Sequence, residues 1–69
     1  MLSFEVIESG KAIHIYADDA GLLLLRKALE RVTSAGHLHL RSSANGGKHL
    51  SDVNPWGKPA IGEVIITTA

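Results

Sequence analysis

The sequence predicts a two-layer α+β domain of order β-β-α-β-β, with one helix packed on a mainly antiparallel four-stranded sheet. Three patterns carry that expectation. Apolar and polar residues alternate through "LSFEVI" and "AIHIYA", the period of strands with one apolar face. Leucines recur at helical spacing between Leu22 and Val32. Alternation then returns in "HLHLR", and a β-branched run, "IGEVIITTA", ends the sequence. At 69 residues this is a single domain, residues 1–69.

The elements follow in order. Leu2, Phe4 and Val6 form the apolar face of the first strand. "ESGK" is a turn with Ser9-Gly10 at its tip, so the second strand folds back as a hairpin. In that strand Ile13, Ile15 and Ala17 share one face, and His14 and Tyr16 share the other. Asp18 and Asp19 stop it. Either carboxylate can accept from the free N–H groups of a helix first turn and complement the dipole there. Leu22, Leu25, Leu29 and Val32, widened by Ala28, are expected to form the buried stripe of the helix. Arg26, Lys27, Glu30 and Arg31 then face water. Gly36 suits the left-handed position just past the helix end. Leu38 and Leu40 are expected to anchor the third strand beneath the helix, with His37, His39 and Arg41 on its other face. A long polar loop at about 42–60, punctuated by Asn45-Gly46-Gly47, Asn54-Pro55 and Lys58-Pro59, leads to the last strand.

Composition narrows the function classes. Hydrophobic residues make up 45% of the chain and charged residues 20%, a globular profile. Seven Lys and Arg balance seven Asp and Glu, so nothing here favours nucleic acid, which calls for a basic face. Three aromatic residues are too few for a base-stacking platform. No apolar run approaches the roughly 20 residues of a membrane span, and "MLSFEVIESG" lacks the plan of a signal peptide. A cytoplasmic location without membrane association is expected. A domain this small buries only about 60% of the surface its unfolded chain exposes, and there is no cysteine to staple it. A homodimer is one expected remedy.

His37-x-His39 is the main candidate site. Residues i and i+2 of a strand lie about 6.5–7 Å apart on one face, so two imidazoles can converge on one ion. Zinc needs three or four protein ligands, or three plus water. His49 is the first candidate third ligand, with Asp52 and His14 behind it, at no diagnostic spacing. Acid–base chemistry would need a nucleophile and an orienting group around a histidine. Ser42, Ser43, Ser51 and three aspartates are available, but no hydrolase signature frames them. Gly46-Gly47 reads as a turn, not a phosphate loop. A metal-binding protein and, behind it, a small hydrolytic enzyme therefore remain alternatives. The simplest arrangement exposes the histidines on a sheet face that one helix leaves uncovered. His14, Tyr16, His37, His39 and Arg41 fall on that face, and a folded-back loop could add His49 and Trp56. His37, His39, Arg41, His49, Trp56 and Tyr16 are the candidate protein-binding residues. Trp56 could equally plug the core. If His37 and His39 are partly buried and neutral, stability should fall below about pH 6.5.

The pattern as a whole resembles a small family of bacterial immunity proteins associated with polymorphic toxin systems. The resemblance runs from about Ile13 to Ile66. It rests on Asp18, Gly21, Leu22, Leu25, Leu29, His37, His39, Leu40, Gly46, Gly47 and Leu50, most specifically His37-x-His39-Leu40 followed by the glycine pair. It departs at Asn45, where the family often carries an aromatic residue. The resemblance implies a compact α+β fold and a non-catalytic, cofactor-free role. The expected partner is a cognate toxin protein, bound and neutralised in the cytoplasm.

Overall fold

The computed structural model describes residues 1–69. It is a small α+β domain with the predicted β-β-α-β-β order: β1 (Leu2–Ile7), β2 (Ala12–Ala17), α1 (Asp19–Ala35), β3 (His37–Arg41) and β4 (Glu63–Thr67). α1 packs on all four strands. No helix is long and apolar enough to cross a membrane.

Local chemistry sets the boundaries. β1 and β2 pair antiparallel from Leu2 opposite Ala17 to Ile7 opposite Ala12. The turn between them holds Glu8, Ser9 and Gly10 at positive φ, a conformation only the glycine adopts without cost. Asp18 caps α1: its carboxylate accepts from the Gly21 N–H at 2.8 Å and also from the Met1 amine. Both contacts hold its carboxyl below the ordinary carboxylate range, the amine contact most. Asp19, the other candidate cap, is the first helical residue. Gly36 ends the helix at φ 86°, returning its N–H to the Val32 carbonyl.

The four strands form hydrogen-bonded pairs, β1–β2 and β3–β4, each antiparallel. The expected single ladder is thus divided, and the long connection fills the seam. Ser51 N–H donates to the Leu2 carbonyl at 2.7 Å, and Ile61 N–H donates to Phe4 at 2.8 Å. On the other side His49 and Leu50 N–H groups donate to the Arg41 carbonyl, and Ser42 N–H donates to Gly62. The β1 carbonyls that face away from β2 therefore bind the connection instead of another strand.

Leu2, Phe4, Ala28, Leu40 and Leu50 make the buried core, with Leu24, Leu25, Leu38, Ile61, Val64 and Ile66 packed against it. Here the helix departs from expectation. Its buried residues are Gly21, Ala28 and Val32, while Leu22 and Leu29 stand 56% and 52% exposed. The cause is close approach. A Cβ on Gly21 would lie 1.9 Å from the Met1 carbonyl oxygen and 3.2 Å from Ala17 Cβ. No side chain fits at Gly21, where α1 crosses the first pair, and the helix turns Gly21 and Ala28 inward. That rotation carries Leu22 and Leu29 to the margin and keeps Leu25 and Val32 of the expected stripe.

Candidate functional site

The register of β3 and β4 builds the site. Leu38 and Leu40 face the helix with their partners Ile66 and Val64. The alternate residues, His37, His39 and Arg41 on β3 and Glu63, Ile65 and Thr67 on β4, form the outer face. Arg41 lies opposite Glu63, and its Nε donates to Glu63 Oε2 at 2.6 Å. His39 Nδ1 lies 2.9 Å from the same oxygen. Arg41 first, then His39, hold the Glu63 carboxyl below the ordinary carboxylate range. A carboxylate only accepts, so His39 carries its proton on Nδ1 in this contact. Arg41 Nη2, 3.4 Å from that nitrogen, is then a second donor packed beside it, not a hydrogen-bonding partner. In the neutral ring Nε2 is left as an acceptor. The His37 ring meets the His39 ring edge-on, with centroids 5.3 Å apart. Ile65, opposite His39, is 55% exposed amid these polar groups.

A second cluster lies on the outer face of β1–β2. The connection folds back as an arm, with Val53 bridged to Pro59 and the Ala60 N–H donating to the Asp52 carbonyl. Asn54, buried, shapes its tip: Oδ1 accepts from the N–H groups of Trp56 and Lys58 at 2.9 and 3.0 Å. Trp56 thereby meets Tyr16 edge-on at 5.3 Å, and His14 stacks on Tyr16 at 3.9 Å. Trp56 is 70% exposed, so it covers Tyr16 without plugging the core. Desolvation there, reinforced by Glu5, raises the Tyr16 pKa.

The six candidate binding residues thus divide. His37, His39 and Arg41 come together, Tyr16 and Trp56 come together, and the His49 side chain makes no hydrogen bond, ion pair or ring contact with either group. No three or more His, Cys, Asp or Glu side chains gather as a metal site would require, so the proposed set of His37, His39 and His49 is not assembled. Asp52 is occupied in the loop, accepting from the Ser43 hydroxyl and the Ala44 N–H; these contacts, with the Ser42 hydroxyl, lower its pKa. Gly46 turns the chain at φ 82°, and Gly47 presses on β3, where a Cβ would come within 2.4 Å of Arg41 Cβ. Glu63, which organises the site, is absent from the sequence-derived candidates. Its signal is a lone charge opening an apolar strand, which has meaning only once the register is known. One shallow pocket exists, lined by Met1, Ile15, Tyr16, Ala17, Asp18 and Pro55, away from the His39 face. Compared with known proteins, the chain matches no family model, no curated protein and no solved structure.

Proposed function

We propose that this chain is a non-catalytic protein-binding module of the immunity type, which neutralises a cognate bacterial toxin in the cytoplasm by capping its surface. The observation that carries this reading is the outer face of β3–β4. There the exposed Ile65 is flanked by His37, His39, Arg41 and Glu63, and no cleft opens among them. An apolar centre with an arginine and a polar rim suits protein recognition. The resemblance to immunity proteins supplies the class of partner. Fixed charges on such a rim govern association rate and specificity more than raw affinity.

The test is co-expression with the product of an adjacent toxin-like gene. Growth should be rescued by the native chain and lost with Arg41→Ala, Glu63→Ala or Ile65→Asp, each still folded by circular dichroism. Undiminished rescue by all three variants sinks this assignment of the binding face.

A further inference from the structure

We propose that β2 pairs edge to edge with β2 of a second copy, antiparallel about a two-fold axis through the middle of the strand. The ladder of the first pair shows why that edge is open. Leu2 and Phe4 turn their carbonyls toward Ser51 and Ile61, away from β2. By antiparallel alternation, β1 therefore bonds to β2 through Ser3, Glu5 and Ile7, opposite Tyr16, His14 and Ala12. The backbone N–H and C=O groups of Ile13 and Ile15 point to the opposite edge, and no turn, loop or side-chain hydrogen bond of the chain reaches them. Their side chains are 63% and 46% exposed, and Val6, opposite Ile13, is 53% exposed.

Edge strands are ordinarily protected by lysine, proline, a bulge or short length. β2 runs six residues in regular register, Ala12–Ala17, with no charge, proline or bulge. Its charges lie just beyond its ends and have opposite signs: Lys11 before it, Asp18 and Asp19 after it. Asp18 is engaged by the Met1 amine and Gly21, whereas Lys11 and Asp19 form no ion pair within the chain. Antiparallel pairing of identical strands brings the Lys11 end of each copy to the Asp19 end of the other, twice per dimer. Parallel pairing would oppose like charges. A second copy is therefore the occupant this edge matches, and the contact is isologous. One strand edge is a small interface beside the roughly 800 Å² per partner of stable complexes, so the dimer is reversible and concentration-dependent.

Sedimentation equilibrium of the full chain across the micromolar range tests this. A monomer–dimer equilibrium is expected. Ile15→Pro removes an outward N–H while leaving the β1 side of the ladder intact, and Ile13→Lys places like charges across the axis. Each should weaken the dimer about tenfold or more, since a two-fold contact feels each change twice. Lys11→Asp should weaken it as well, and Lys11→Asp with Asp19→Lys should restore it. That recovery depends on charge pairing and holds even if the isoleucine variants fold poorly. A monomer throughout overturns the proposal and leaves the edge for a strand of another protein. A dimer unaffected by both Ile15→Pro and Lys11→Asp overturns it equally.

Discussion

Arg41 donates to Glu63 directly across the β3–β4 ladder, and the same carboxylate oxygen takes His39. Glu63, Asp18 and Asp52 all have their pKa values lowered by such partners. A carboxylate whose pKa is lower folded than unfolded contributes stability above its unfolded value, and that contribution disappears as pH falls through the folded value. Melting temperature should therefore fall once pH drops through the ordinary carboxylate values of 3.8 and 4.5 and continue to fall below them. Of the histidine pair, His37 is exposed and His39 is partly buried. A melting-temperature series against pH locates the transition.

The rotated helix makes a paired prediction. Leu40 is 1% exposed, and Leu40→Ala should cost about 2–5 kcal/mol, enough to unfold most of a domain this small. Leu22→Ala and Leu29→Ala should each cost less than about 1 kcal/mol, because both leucines are half exposed and alanine is the better helix former. Urea denaturation of the three variants gives the comparison.

Gly21→Ala separates propensity from packing. Helix propensity alone predicts a gain of about 1 kcal/mol. The new methyl would meet the Met1 carbonyl, which is backbone and cannot swing aside. Net destabilisation of about 1–3 kcal/mol is expected in the same denaturation assay.

Asn54→Ala leaves two N–H groups at the arm's tip without their acceptor. The cost should be about 1–2 kcal/mol. The Trp56–Tyr16 contact should loosen with it, seen as a red shift of tryptophan fluorescence in a chain that still folds.

Ser3→Ala should stabilise. The Ser3 hydroxyl is fully buried and has no hydrogen-bond partner. Replacing it with a methyl hydrogen removes an unsatisfied polar group and should gain about 1 kcal/mol, measured by chemical denaturation.

Much of the architecture was legible because it is written in short-range patterns. The alternation of Leu38 and Leu40 with His37 and His39 sorts β3 into two faces, and the structure keeps that sorting. Asp18 and Gly36 mark the helix ends through backbone chemistry that acts within a few residues. What escaped depends on long-range fit. Leucine spacing places Leu22 and Leu29 in the stripe, but the close approach of Met1 turns Gly21 inward instead, and no local pattern announces that contact. Glu63 was missed because a cross-strand partner is set by register across a long connection. The aromatic cluster is half legible: the sequence puts Tyr16 on the outer face and leaves Trp56 either beside it or in the core, and Asn54, which aims Trp56, reads there only as a turn residue.

The divided ladder changes what the connection is for. Residues 42–62 have the length and polarity that invite an engineer to trim them as slack. Yet Leu50 belongs to the core, and Ser51 and Ile61 supply the partners that β1 lacks. Excising this segment would not yield a smaller version of the domain. It would leave two strand pairs and a helix with no mortar between them.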